Sequence, residues 1–257
     1  MRLMNRNSTL LSVVLLSACY GAAVTAEIVR EDRDVSGFEA VVATGSGIIE
    51  LTQGQGESLV IEADDDVLER ITTRVEDRVL HIGRTSGPWF GFGRSKPVVF
   101  RLGFETLNSL VLSGSIKAVA ETLDAERLSI KVSGSGGLSI EHLHASELAA
   151  TVSGSGSVKV ISLEADEIDA RISGSGSIDL GGQAPRQKVR ISGSGHYLAA
   201  NLEGDAVSAR ITGSGRAQVW ANEELDVRIS GSGGLRYRGE PKITEKLSGS
   251  GKIRRAD

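Results

Sequence analysis

The 257-residue chain has little of what usually builds a compact core or a catalytic centre. Aromatic residues make up only 4% of it, fewer than a globular domain of this length normally packs. That scarcity points to an interior narrow enough to be filled by aliphatic side chains. Cysteine occurs once, at Cys19, which excludes an internal disulfide. No excess of positive charge exists either. The formal net charge is −4, and without Arg2 and Arg6 it is 27 basic against 33 acidic side chains, or −6. This balance argues against a nucleic-acid partner, which needs a basic face. Long apolar runs are also missing, because the longest, residues 10–16, is too short to span a bilayer.

That short run does fit a secretion signal: Arg2 and Arg6 precede it and small residues follow. Two exits are open. Leu16-Ser17-Ala18-Cys19 matches a bacterial lipobox, with Cys19 acylated as the new N-terminus. Val24-Thr25-Ala26 matches ordinary signal peptidase, giving a signal over residues 1–26. Under the first exit, Tyr20 after the cysteine favours the outer membrane of a Gram-negative cell, with membrane contact only through the anchor. Under the second, the chain is free in the periplasm or at the cell surface.

What the chain has in abundance is glycine, 32 residues, most of them in one motif. Ser/Thr-Gly-Ser-Gly starts at Thr44, Ser133, Ser153, Ser173, Ser192, Thr212, Ser230 and Ser248, with a worn copy, Ser113-Gly114-Ser115-Ile116. From Ser113 onward a new start comes about every 20 residues, and a fixed period of that size indicates a solenoid of stacked coils. Before each motif apolar residues alternate, as in Leu128, Ile130, Val132 and Val207, Ala209, Ile211, and alternation resumes after it. Each coil is therefore two short strands with one buried face, joined at a glycine corner. Successive coils pair as parallel strands about 4.8 Å apart, giving a rod of about 35 Å for the copies from Ser133 to Ser248. The fold class is all-β, a parallel β-helix, and the crossover rule makes it right-handed. Glycine supplies the bend, and the serine hydroxyls are expected to bond backbone groups that the bend leaves unpaired.

Residues 27–106 lack the period and read as a β-rich capping region ahead of a repeat domain over residues 107–257. Within it, the run Asp64-Asp65-Asp66 reads as an exposed acidic turn with an Asp as a plausible helix N-cap, and residues 74–82 as a hairpin turned at Glu76-Asp77. At the far end, the charged residues 253–257 suit a cap on an open edge.

Candidate sites are few. Trp89, Phe90 and Phe92, in a Gly/Pro-rich loop over residues 86–96, are a possible partner contact or a lid folded over the rod. His142 and His144 share a strand face, but without a convincing third ligand they read as solvated polar residues rather than a metal site. Every serine with motif-like surroundings sits in the repeat, and no nucleophile elbow is present. Outward charges such as Lys131, Lys159, Asp179 and Arg190 scatter along the chain without clustering. No catalytic, cofactor or metal residues are assigned.

The ordered combination does resemble a known family. Val35-Ser36-Gly37-Phe38 enters a first Gly-Ser-Gly strand, residues 75–82 and 107–114 follow, and then come the coils. This is similar to the putative auto-transporter adhesin, head GIN domain family, over residues 35–253. The resemblance implies a parallel β-helix, export and adhesin-like binding. It carries over no catalytic or binding residues. The expected function is a non-enzymatic binding module of the cell envelope, with an envelope protein or a glycan as partner and no cofactor. The alternatives are a carbohydrate-processing enzyme on the same scaffold and a purely structural component.

Overall fold

A computed structural model describes residues 28–85 and 97–256. The N-terminal part holds β1 (Ile28–Arg33), β2 (Ala40–Gln53), β3 (Ser58–Asp64), a one-turn helix α1 (Asp65–Leu68), β4 (Ile71–Glu76), β5 (Val79–Arg84) and β6 (Val99–Phe104). Every later element belongs to the rod. Three long strands wrap whole coils: β7 (Ser109–Gly134), β8 (Gly137–Gly154) and β9 (Ser157–Gly174). After them each coil divides at a second corner into two strands. These are β10 (Ser177–Gln183), β11 (Arg186–Gly193), β12 (His196–Glu203), β13 (Ala206–Gly213), β14 (Arg216–Trp220), β15 (Glu224–Gly231), β16 (Gly234–Arg238), β17 (Lys242–Gly249) and β18 (Lys252–Arg255).

The coils stack parallel and in register. Ser133, Ser153, Ser173, Ser192, Thr212, Ser230 and Ser248 pair in succession, rung to rung. Thr44 pairs with Ser113 in the same ladder, although all of β3 to β6 lies between them in the sequence. Strand β2, in the N-terminal part of the chain, is thus also a rung of the rod. Beneath it, β5 and β6 pair parallel with β2, and β1, β3 and β4 close that end as antiparallel partners. At the other end β17 and β18 are each paired on one side among the described residues, with Ile243 and Leu247 exposed beside Glu245.

Inward positions form continuous apolar columns. One runs Val132, Val152, Ile172, Ile191, Ile211, Ile229, all fully buried. Burying each such side chain contributes roughly 1.5–3 kcal/mol. The interior departs from aliphatic filling at Tyr197, which is 0% exposed. Its hydroxyl donates to Gln187 Oε1 at 3.2 Å, and Gln187 Nε2 donates to the carbonyls of Ala184 and Leu202. Gln187 stands where neighbouring rungs carry Ile168 and Val207. Gly204 makes room for it, since a Cβ there would lie 2.5 Å from Gln187 Nε2.

The two motif glycines do different work. The first holds positive φ in every copy from Gly114 to Gly249, for example +103° at Gly154, a region that L side chains rarely adopt. From Gly136 to Gly251 the second is not in that region but faces inward against the coil below. A Cβ on Gly156 would lie 2.7 Å from Val132 Cγ1. Where the rung below offers only Ala43 instead of Val or Ile, the chain carries Ile116 at this place, buried in the core. The serine hydroxyls do not behave as expected. Among the described residues none in the motif has a hydrogen-bond partner in the protein. The corner is instead held by backbone, as where Ser155 N–H donates to Gly134 O at 2.9 Å.

Two local readings shift. The hairpin turn lies one residue later, at Asp77-Arg78, because Glu76 pairs with Val79 and both turn residues hold positive φ, as a two-residue type I′ loop requires. Asp64 does occupy the N-cap position, but its side chain makes no cap bond and is buried rather than exposed.

Candidate binding face

Stacking in register turns a one-coil pattern into a column. From the Ser133 copy onward, the residue two places before each motif points outward, so one line on the rod reads Lys131, Thr151, Arg171, Arg190, Arg210, Arg228, Lys246. Six of the seven are cations, on rungs about 4.8 Å apart, and the five from Arg171 to Lys246 occupy successive rungs. Charges that scatter along the sequence therefore cluster across the coils, which corrects the expectation for Lys131 and Arg190. Lys159 and Asp179 lie on another line, paired with each other across adjacent rungs. Aligning the copies on their first residue and reading position minus two gives the ladder; reading along the chain does not.

Part of this charge is offset locally. Asp169 takes Arg171 at 2.6 Å and Arg190 at 3.1 Å. Glu167 takes Lys188 at 2.9 Å and Arg186 at 3.5 Å. The hydrogen bond from Lys188 holds the Glu167 carboxyl below its usual range, opposed by desolvation. Its contribution to stability is therefore present at neutral pH and lost as pH falls through the carboxylate range. Asp226 reaches Arg228 at 3.4 Å, while Arg210 and Lys246 have no carboxylate partner among the described residues. Exposed pairs of this kind contribute about 0.2–1 kcal/mol each and leave the cations free to exchange partners.

The face is graded along the rod. A groove of about 750 Å³ at its N-terminal part is lined by Glu126, Glu147, Glu167 and Asp169 with Arg127. A second, of about 220 Å³, is lined by Lys188, Arg190, Arg210 and Arg228 with Asp226. Residues 109–174 carry 9 acidic and 5 basic side chains, and residues 206–256 carry 5 and 10. The mild overall charge conceals this polarity. A row of evenly spaced cations suits repeated weak contacts with a polyanion, whose summed strength grows with the number of rungs engaged.

The other sequence-derived candidates fall elsewhere. Cys19, Trp89, Phe90 and Phe92 lie outside the described residues. His142 and His144 are exposed on either side of buried Leu143, on neighbouring rungs to Thr122 and Asp124, and His144 lies 3.8 Å from Asp124. Among the described residues no group of three or more potential ligands forms a metal site.

Comparison with known proteins agrees with this architecture. The family model described as putative auto-transporter adhesin, head GIN domain, matches residues 37–162 and again 151–241. No curated protein matches. A solved structure from Parabacteroides distasonis, described as a putative lipid binding protein, is similar with a TM-score of 0.86 at 24% identity, covering 91% of this chain and 98% of that one. A putative adhesin from Parabacteroides merdae is similar with a TM-score of 0.85 at 23% identity, covering 91% and 98%. These likenesses show a shared fold.

Proposed function

The chain belongs to the putative auto-transporter adhesin, head GIN domain family, and from that premise we propose that it is an exported, non-enzymatic, adhesin-like module of the cell envelope. It binds through the lateral face of its rod. The observation that carries this reading is the outward column from Arg171 to Lys246, which repeats one cationic contact at every rung. The partner it suits is an acidic glycan or an acidic envelope protein. The rod supplies rigidity, so each contact loses little conformational freedom when the next is made.

Binding of the purified chain to bacterial envelope fractions tests this. Arg190→Glu, Arg210→Glu and Arg228→Glu together should weaken binding at least ~10-fold, and added salt should weaken wild type in the same direction. Replacing Trp89, Phe90 and Phe92 by Ser should leave it unchanged. Undiminished binding by the charge-reversed variant, with loss in the loop variant, moves the contact to that loop.

Anchoring is proposed at Cys19. Metabolic labelling with a fatty-acid probe should mark the wild type and not Cys19→Ser. Equal labelling, or none, leaves the ordinary signal-peptidase exit at Ala26.

A further inference from the structure

Across the glycine edge from the ladder, β12, β14, β16 and β18 form a different face. At the C-terminal part of that face opens a groove of about 610 Å³. Four cations line it, Arg216, Arg236, Lys252 and Arg254, with no carboxylate in the lining among the described residues. Unlike the ladder cations beside Asp169 and Glu167, none of the four has an ion pair or side-chain hydrogen bond among the described residues.

The register explains the shape. Arg216, Gly234 and Lys252 occupy one outward line, and Gln218, Arg236 and Arg254 the next. Gly234 is the missing side chain in the first line, leaving Arg216 and Lys252 about 10 Å apart, two rungs, over bare backbone. Nothing in the backbone demands glycine there. Its φ is not in the left-handed region, and an added Cβ would meet its nearest neighbour, Lys252 O, at an ordinary 3.6 Å. The glycine therefore opens a notch without being needed for a bend.

Four unneutralised cations in one groove raise each other's electrostatic energy, and a bound anion relieves it. Arginine forks match the oxygens of a phosphate, and the Ser232 and Ser250 hydroxyls in the lining add donors. A phosphate-bearing group offers more charge and more acceptor oxygens than a single carboxylate.

We propose that this groove binds a phosphate-bearing group seated over Gly234, flanked by Arg216 and Lys252 and held by Arg236 and Arg254. The site is separate from the lateral ladder, so it does not depend on that face being the adhesive one. Its chemistry is common to a phosphomonoester lipid headgroup and to a soluble phosphate compound.

Calorimetric titration of the full chain with inorganic pyrophosphate at low ionic strength tests the groove. Wild type should bind, and Arg236→Glu with Arg254→Glu should weaken binding at least ~10-fold. Gly234→Val fills the notch without changing charge and suits a strand, so it should keep the melting temperature and lose affinity at least ~10-fold. The Arg190→Glu, Arg210→Glu, Arg228→Glu variant should bind pyrophosphate as wild type does, even where its envelope binding is lost. Co-sedimentation with phosphatidic acid vesicles separates the sources. Sedimentation reversed by pyrophosphate assigns a lipid headgroup, and pyrophosphate binding without sedimentation assigns a soluble phosphate compound. No binding of pyrophosphate by wild type, or full affinity in a folded Gly234→Val variant, overturns the proposal.

Discussion

Gly193→Ala should lower the melting temperature by about 4–20 °C, whereas Ser192→Ala with Ser194→Ala should barely move it. Gly193 holds φ at +115°, and a Cβ there would lie 2.6 Å from Gly174 O and 3.2 Å from Gly174 N on the rung below. Both obstacles are backbone, so neither can swing aside. Positive φ costs an L residue about 1–2 kcal/mol, and forcing the rungs apart adds about 1–3 kcal/mol. The sum is about 2–5 kcal/mol, and each kcal/mol moves the midpoint of a chain this size by about 2–4 °C. The damage also falls on a nearest-neighbour interface, on which a stacked rod depends at every step. The two flanking serines have no hydroxyl partner among the described residues, so their loss should stay within about 0.5 kcal/mol. Thermal unfolding followed by circular dichroism measures both. Equal destabilisation by the two variants would mean that the hydroxyls, and not the glycine backbone, hold the corner.

Tyr197→Ala should be the most damaging substitution of a core side chain in the rod, at about 4–8 kcal/mol. It removes the large ring at a fully buried position and leaves the buried Gln187 Oε1 without its donor. Loss of an aromatic ring costs about 3–5 kcal/mol, and an orphaned buried acceptor about 1–3 kcal/mol more. Tyr197→Phe isolates the second part and should cost about 1–3 kcal/mol. Gln187→Leu should then cost less in the Tyr197→Phe background than in wild type, because the orphaned hydroxyl is already gone; denaturant titration of the four proteins gives that coupling. Burial also pushes the Tyr197 phenol far above its usual range, because the anion would be desolvated. A group whose folded pKa is raised contributes stability below its unfolded value and loses it above. Stability should therefore fall as pH rises past about 10, and less steeply in Tyr197→Phe.

The rod was legible from the chain because its signal is local and repeated. Each copy carries its own alternation and its own glycines, so spacing alone gave parallel coils. The Ser113 copy, with Ile116 in place of the second glycine, is explained only by what lies beneath it, Ala43, which no local reading supplies. The same is true of the first rung, since the pairing of Thr44 with Ser113 reaches across the whole β-rich insertion from β3 to β6. Gln187 and Tyr197 are ten residues apart in sequence and meet only across the interior. The cation column was present in the sequence but hidden by reading direction. Arg171, Arg190, Arg210 and Arg228 are unremarkable as single charges, and become a ladder once coil is laid on coil. The notch at Gly234 was hidden for the opposite reason, since it is one more glycine in a chain full of them.

The cation ladder and the notch at Gly234 both depend on the rungs stacking one to one. The distance between spin labels on Arg171→Cys and Lys246→Cys, in a chain with Cys19→Ser, measures that stacking directly. These positions are remote in sequence but only four rungs apart in the ladder. Their backbones should stand about 19 Å apart, with a narrow distribution. A broad distribution centred well beyond ~35 Å would contradict the register, and with it the cation ladder.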